Sequence, residues 1–185
     1  MAHANASNWR ASGPVMGIDL ALRKTGVVVY TRDGVPHMWT TIVNKLDRPR
    51  SAPPITQTEV VQRLIDVSNE IIRIAKTYKV KHVAIENYAH KAKFQAHQMG
   101  EMAGVVKVQL ALACNIIPDV VPPSTARKHA LGYGGSGISK KDIEAAVIEG
   151  LLIPVEDDHQ ADAAVVAQYY FDYVVAREIE ENLYE

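Results

Sequence analysis

The chain has a single cysteine, Cys114, among its 185 residues. An internal disulfide is therefore impossible, and metal sites built on several thiolates are excluded. A long uninterrupted apolar run is also missing, because the most apolar stretch, residues 105–117, contains Lys107, Gln109 and Asn115. A membrane span is not expected from such a stretch. We expect a protein of the reducing cytoplasm, with no membrane partner.

An excess of charge of one sign is lacking as well. The sequence has 20 basic and 21 acidic side chains and a formal net charge of -1, whereas proteins that bind nucleic acid usually present a positive surface. The charges are unevenly distributed, however. The end of the chain is acidic, and the basic residues cluster at 23–24, 91–93, 127–128 and 140–141. Local positive charge can bind phosphate where the total charge does not.

The length and the 48% hydrophobic content indicate one globular domain with its own core. We expect a polar N-terminal tail at residues 1–13, the domain at residues 14–176 and an acidic C-terminal tail at residues 177–185.

The hydrophobic pattern predicts an α/β fold. Residues 15–20, 27–30 and 37–43 are expected to form an antiparallel meander, with a turn at Thr25-Gly26 between the first two strands. A proline-rich loop at 48–54 precedes a helix at 56–78, whose apolar residues recur at helical spacing. This crossover helix should place the strand at 80–85 parallel to the first strand.

Four more helices and a fifth strand are expected in the second half of the chain. We predict a helix at 94–113, a strand at 116–121, a short helix capped by Ser124 or Thr125 and a mobile glycine-rich segment at 131–138. Ser139 should cap a helix at 140–151, and Asp158 should cap the last helix, which begins near His159. The prediction is a five-stranded mixed sheet with helices on both faces.

Two carboxylates follow strands that are almost wholly apolar. Asp19 ends the first strand and Glu86 ends the fourth, so a sheet of this topology would bring both to one crevice. Each residue alone has an ordinary explanation, as a turn cap or a solvated strand end. Together they favour a site in which a cation relieves the repulsion between the two charges.

His159 and Asp162 lie three residues apart on the last helix and therefore share a face. They could complete the site, with Asp162 supplying oxygen to Mg²⁺ or Mn²⁺ and the imidazole acting as a ligand or a proton carrier. Asp158 is a rival for the ligand role. A cap cluster at 157–159 without any metal is an equally simple interpretation of these residues.

The segment 87–94, between Glu86 and the next helix, mixes aromatic and basic side chains. Tyr88 is the better candidate for stacking on an unpaired base, because Phe94 has the simpler interpretation of a core residue. The candidate DNA-binding residues are the following basic side chains, each of which could instead be an ordinary surface charge: Lys91, Lys93, Arg127, Lys128, Lys140 and Lys141.

These motifs together resemble the RuvC family of Holliday junction resolvases, within the ribonuclease H-like superfamily. The segment Gly17-Ile18-Asp19 with Thr25-Gly26 resembles the family's first-strand motif, and residues 82–86 resemble its fourth strand. Residues 100–105 are similar to the helix that follows. Pro123, Arg127, Gly132 and Lys140 resemble its basic segment, and residues 159–163 resemble its closing motif.

The resemblance implies a homodimeric endonuclease that resolves four-way DNA junctions by paired symmetric nicks, using two Mg²⁺ ions about 3.5–4 Å apart, with Mn²⁺ as a substitute. It implies that Asp19, Glu86, His159 and Asp162 form the metal site. Tyr88 would contact unpaired bases, and Arg127 and Lys140 would contact phosphate. Residues 94–113 would contribute to the dimer interface.

Departures from the family pattern leave the substrate open. Leu20-Ala21 replaces the Pro-Gly that often follows the first aspartate, the N-terminal tail is extra and the chain is less basic than expected. These features suggest a divergent member, with a phage as one source and its host's cytoplasm as the location in that case. Flaps, forks and RNA-DNA hybrids are alternative substrates, and partnership with RuvA and RuvB is uncertain.

Two other functional classes compete with a nuclease. Gly17-Ile18-Asp19 also resembles the first phosphate loop of actin-like sugar kinases and ATPases, but the second phosphate loop of those proteins is not evident. A junction-binding protein without activity is the third class, and the presence of all four proposed ligands argues against it.

Overall fold

The computed structural model describes residues 10–44, 55–87, 96–132 and 138–183. Five strands form one sheet in the order β3-β2-β1-β4-β5. The strands are β1 (Val15–Asp19), β2 (Lys24–Tyr30), β3 (Pro36–Val43), β4 (His82–Glu86) and β5 (Asp119–Val121). Strands β1, β2 and β3 pair antiparallel, and β4 is parallel to both β1 and β5. The predicted five-stranded mixed sheet is confirmed.

In the described part of the chain, five α-helices accompany the sheet: α1 (Gln57–Thr77), α2 (Ala96–Cys114), α3 (Pro123–Leu131), α4 (Lys140–Ala146) and α5 (Asp158–Leu183). Helix α1 begins where Thr56 caps it, with Glu59 bonding back to the Thr56 backbone in a capping box. It carries the chain from β3 back to the start of β4, as a parallel strand pair requires.

The two faces of the sheet carry separate cores. One core packs α1 and α2 against the side chains of Met16, Ile18, Val83 and Ile85. The other packs α3, α4 and α5 against Val15, Val28, Tyr30 and Ala84. Because successive strand residues point to opposite faces, β1, β2 and β4 each contribute buried side chains to both cores. Helices therefore cover both faces of the sheet, as the near-continuous apolar strands predict.

The predicted turn at Thr25-Gly26 was wrong, because both residues lie within β2 and the chain turns before Lys24. Gly26 has another role. A Cβ at this position would lie 1.9 Å from the backbone carbonyl oxygen of His159, so only glycine lets the start of α5 approach the strand this closely.

One helix start and one helix end also differ from expectation. Helix α3 starts at Pro123 with Pro122 as N-cap and no side-chain cap bond, since proline suits the first helical position, so neither Ser124 nor Thr125 caps it. The predicted helix at 140–151 is α-helical only to Ala146 and continues as a π-helical turn, Val147–Leu151. Ser139 does cap α4, through a capping box with Asp142.

The sheet and α2 begin and end slightly differently from the prediction. Strand β4 includes Glu86, β5 is only three residues long, and α2 is described from Ala96, so Phe94 lies outside the described residues. The proline-rich segment at 48–54 and most of the glycine-rich segment at 131–138 also lie outside them. Gly132, the last described residue before that second gap, ends α3 in the left-handed conformation.

At both ends of the predicted domain, the described chain continues in contact with the sheet. Ala11 is buried, and its N–H donates to the carbonyl of Arg32 at 2.9 Å. The acidic segment is helical as far as Leu183, and Glu178 accepts a hydrogen bond from the N–H of Ser12 at 2.7 Å. Within the described ranges, the structure has no helix long and apolar enough to cross a membrane.

Candidate active site

The alternation of side chains along β1 and β4 places two carboxylates on one face of the sheet. Met16 and Ile18 point towards α1 and α2, so Asp19 points to the α5 face. By the same alternation Glu86 points there too, because Val83 and Ile85 belong to the α1–α2 core. Since Ile18 is aligned with Ile85 in the parallel pair, the two acids end neighbouring strands at the same edge.

Two strand glycines allow α5 to lie directly on this face. A Cβ on Gly17 would come within 2.4 Å of the backbone nitrogen of Ala167 and 2.5 Å of the carbonyl oxygen of Ala163. Together with Gly26, this glycine fixes the height of α5 above β1 and β2. The close approach places the first turns of α5, with His159 and Asp162, beside the ends of β1 and β4.

Asp19, Glu86 and Asp162 converge. One carboxylate oxygen from each lies within 4.8 Å of both others. Burial, followed by the charges of Asp19 and Asp162, raises the pKa of Glu86 to about 9. Burial also raises the pKa of Asp162, although the charge of Arg127 opposes this. The three acids are therefore held close together against their mutual repulsion, which is the situation that a bound cation relieves.

Arg127 lies in the middle of this group. Its Nη2 donates to Asp162 Oδ1 at 2.7 Å and lies 3.9 Å from Glu86 Oε1. The sequence predicted that Arg127 contacts phosphate, and gave no sign of these ion pairs. No local pattern could have revealed them, because Arg127 comes from α3 and its partners come from β4 and α5.

His159 contacts the site through Asp19. Its Nδ1 donates to Asp19 Oδ2 at 2.7 Å, and this hydrogen bond raises the pKa of His159 although burial opposes it. In this arrangement the imidazole supports one of the three converging carboxylates. Asp158 lies apart from them and accepts a hydrogen bond from Lys140. Burial acts to raise the pKa of Asp158, but the bond from Lys140 and the charge of His159 together lower it.

A polar network that the sequence did not predict holds the start of α5. Asp157, and not Asp158, caps the helix, since its Oδ1 accepts the N–H of Gln160 at 3.0 Å. Asp157 also accepts a hydrogen bond from Thr41 at 2.9 Å and pairs with Lys24 at 3.3 Å. These contacts join α5 to β2 and β3 next to His159. A cluster of acids before a helix is their only trace in the sequence.

The remaining candidate residues divide into two groups. Lys128, Lys140 and Lys141 are exposed at the surface. Tyr88, Lys91 and Lys93 lie outside the described residues. Their proposed contacts with DNA therefore stay predictions from the sequence.

The chemistry of the converging side chains fits a hard divalent cation. Mg²⁺ and Mn²⁺ prefer oxygen ligands, and three carboxylates from three elements of the fold meet here. The raised pKa of Glu86 is a further sign of fit, because a positive ion would replace the proton that this group otherwise retains. Asp19, Glu86 and Asp162 could hold such an ion, with His159 positioning Asp19.

Comparison with solved structures identifies the fold. RuvC of Thermus thermophilus matches with a TM-score of 0.67 at 18% identity, over 89% of this chain and 96% of that one. The structure titled T. thermophilus RuvC in complex with Holliday junction substrate matches with a TM-score of 0.70 at 17% identity, over the same shares. This chain has the RuvC fold.

A mitochondrial protein supports the same assignment of fold. The yeast mitochondrial Holliday junction resolvase Ydc2 matches with a TM-score of 0.63 at 11% identity, over 94% of this chain and 84% of that one. No protein-family model matches the sequence, and no curated protein matches it either. The RuvC fold is thus recognised here through the arrangement of the backbone, at sequence identities of 11–18%.

Proposed function

We propose that this chain is a divalent-metal-dependent endonuclease that resolves Holliday junctions by paired symmetric nicks. The observation that carries the proposal is the convergence of Asp19, Glu86 and Asp162 at one edge of a RuvC-like sheet. A solved structure with the same fold is titled as a complex with a Holliday junction substrate, which supports branched DNA as the substrate here.

Two bound Mg²⁺ ions would activate a water molecule and stabilise the leaving 3′ oxygen of the scissile phosphodiester. The three carboxylates hold oxygen ligands at the site. His159 positions Asp19 by its 2.7 Å hydrogen bond, and its raised pKa suits it to hold or release a proton near neutral pH. A direct ligand role for His159, or for Asp158, is the alternative arrangement.

The phosphate backbone needs positive charge beside this site. Arg127 already lies among the carboxylates, and Lys140 donates to Asp158, the first residue of α5. Both are proposed to contact phosphates of the substrate. Lys128 and Lys141 extend the basic surface, and Tyr88, Lys91 and Lys93 are proposed to contact the DNA from the segment after β4.

Cleavage of a labelled four-way junction tests this function. Linear duplex, flap, fork and RNA-DNA hybrid substrates are compared in Mg²⁺, in Mn²⁺ and in EDTA. Paired symmetric nicks that need metal and favour the junction are expected. Preference for another branched or hybrid substrate would keep the nuclease and replace the substrate, whereas no cleavage of any of them would contradict the proposal.

Substitutions at the carboxylates separate the active site from the DNA-binding surface. Asp19→Asn and Asp162→Asn remove charge with little change of volume, so each is expected to lower cleavage at least about 100-fold while junction binding persists. Glu149→Asn, at an exposed carboxylate of the π-helical turn, is the control and should cleave normally. Unchanged cleavage by both active-site variants would show that the site is elsewhere.

We also propose that the active form is a homodimer through α2. Gly104, Val108 and Leu112 are exposed at intervals of four residues and so form one stripe on this helix. Val108 is 56% exposed and Leu112 is 78% exposed, and a Cβ on Gly104 would meet nothing within 4 Å. A two-fold enzyme suits a two-fold substrate, and a second copy of the stripe would cover this apolar surface.

The molar mass in solution tests the dimer. Leu112→Lys is expected to give a monomer, since it would place a charge in the proposed contact. Leu152→Lys, at a residue that is 79% exposed but lies outside α2, is the matched control and should leave the mass of a dimer. Equal masses for the two variants, whether monomeric or dimeric, would argue against an interface at this stripe.

A further inference from the structure

Arg127 occupies an unusual position for a residue expected to contact substrate. Its guanidinium donates to Asp162 at 2.7 Å and lies 3.9 Å from Glu86, so it is attached to two of the three converging carboxylates. The oxygen atoms that it contacts belong to the residues best suited to hold a metal ion. A guanidinium and a divalent cation at this place would repel each other.

The fold anchors one end of Arg127 and leaves the other end accessible. The neighbouring residue Ala126 is completely buried in the core beneath α3, which fixes the backbone of the helix beside the site. The Arg127 side chain itself is 26% exposed, against 13% for Asp162 and 11% for Glu86. The long side chain can therefore leave the carboxylates for the solvent side without any movement of α3.

We propose that Arg127 is an internal competitor for the metal site. In the metal-free protein its guanidinium pairs with Asp162 and lies beside Glu86. When a divalent cation binds, the guanidinium is displaced towards the open side, where the substrate phosphate would lie. The advantage of such competition for cleavage rests on the proposed function. A substrate phosphate that binds the displaced guanidinium would tighten metal binding, and by reciprocity the bound metal would tighten phosphate binding.

The competition predicts that removing the guanidinium tightens metal binding. Mn²⁺ titration by calorimetry, in a mildly alkaline buffer where protons compete least, is expected to show that Arg127→Gln binds about tenfold more tightly than the unchanged protein. The matched control is Arg73→Gln, which removes a guanidinium from an exposed ion pair with Glu70 on α1. Its Mn²⁺ affinity should equal that of the unchanged protein.

Thermal unfolding gives a second readout that is independent of cleavage. In EDTA, Arg127→Gln should unfold at a lower temperature than the unchanged protein, because Asp162 and Glu86 lose the positive charge of the guanidinium beside them. With saturating Mn²⁺, its rise in unfolding temperature should exceed that of the unchanged protein and of Arg73→Gln. Arg127→Lys keeps the positive charge but replaces the guanidinium with a smaller ammonium group, so it should bind Mn²⁺ with intermediate affinity. This variant replaces Arg127→Gln in both measurements if the glutamine variant does not fold.

The outcomes separate this inference from the proposed function. An affinity of Arg127→Gln equal to or weaker than that of Arg73→Gln would overturn the competition while leaving the metal site in place. An Arg127→Lys affinity at or below that of the unchanged protein would overturn it too. If the unchanged protein binds no divalent cation by either method, the metal-dependent function fails and the inference fails with it.

Discussion

Replacing Glu86 with glutamine should stabilise the metal-free protein and remove most of its response to metal. Burial and the charges of Asp19 and Asp162 raise the pKa of Glu86 from 4.5 to about 9. Because the pKa in the folded protein is above that in the unfolded chain, folding takes up a proton between these values. The contribution of the protonated Glu86 to the free energy of unfolding is therefore fully present below pH 4.5 and is lost as the pH rises through about 9.

The structure sets the size of this effect. At about 1.4 kcal/mol for each pH unit, the interval from 4.5 to about 9 gives an upper limit of about 6 kcal/mol. Relaxation of the site and entry of water reduce such penalties, so we expect a loss of about 2–4 kcal/mol in the unchanged protein. For a chain of this length, that loss corresponds to about 4–16 °C in the unfolding temperature.

Thermal unfolding in EDTA at a series of pH values between 5 and 9 measures this loss. The curves of the unchanged protein and of Glu86→Gln should nearly coincide at the acid end and diverge as the pH rises, with the variant the more stable. Glu149→Gln, at an exposed carboxylate, should follow the unchanged protein. Added Mg²⁺ should raise the unfolding temperature of the unchanged protein at alkaline pH and have little effect on Glu86→Gln.

The reasoning would be refuted by parallel curves, since a constant difference cannot come from a titrating group. It would also be refuted if Glu86→Gln were the less stable protein at alkaline pH. In that case the carboxylate would contribute favourably to the metal-free fold, and the site would not be one that needs a cation.

Two further substitutions test how the site is positioned. Gly26→Ala should destabilise the protein by more than about 3 kcal/mol in urea unfolding, because its Cβ would lie 1.9 Å from the His159 carbonyl oxygen. The control is Gly150→Ala, whose Cβ would meet nothing within 4 Å and which should cause no comparable loss. Similar losses for the two variants would contradict the close packing of α5 on β2. Ser139→Ala removes the hydroxyl that caps α4 with Asp142 and should cost about 1 kcal/mol by the same measurement, whereas an unchanged free energy of unfolding would show that the cap contributes nothing.

The fold followed from the sequence where hydrophobic periodicity and chain geometry agree. The apolar strands, helix α1 and the parallel pairing of β4 with β1 were all predicted from local patterns and the rules of connection. Gly26 was misread because a glycine after a threonine is typical of a turn. Glycine is needed at position 26 because the backbone of α5 at His159, 133 residues further along the chain, packs against it, and such a distant contact leaves no local signal.

The site was predictable only in part, for a similar reason. Asp19 and Glu86 end apolar strands, and strand ends on one edge must meet, so their proximity followed from topology. The contact of Arg127 with Asp162 depends on how α3 and α5 pack, which periodicity does not determine. The cap at Asp157 is local, but the run of acids at 157–158 did not show which of them caps the helix. The sequence therefore indicated which acids converge, and not which cation neutralises them in the metal-free protein.

The low net charge of the chain is compatible with a nucleic-acid substrate, because α5 carries the acidic C-terminal segment away from the site. This helix starts at the site with Asp158 and extends over 26 residues, or about 39 Å, to the opposite end of the sheet. There Glu178 contacts Ser12 and His82, at the edge where β4 begins. Screening acts over about 10 Å at moderate salt, so the acidic end barely affects the potential at the site.

The potential at the site depends instead on nearby groups. Lys24 lies on the strand beside β1, Arg127 lies between the acids and Lys140 pairs with Asp158, so each is at or near the edge of the sheet that carries the carboxylates. The edge of the sheet that carries the carboxylates thus holds charges of both signs, with each of these cations paired to an acid, whereas the far end of α5 is acidic. A divalent cation at the three carboxylates would shift the local balance towards positive charge, which would favour a phosphate backbone at this edge over the acidic end of α5.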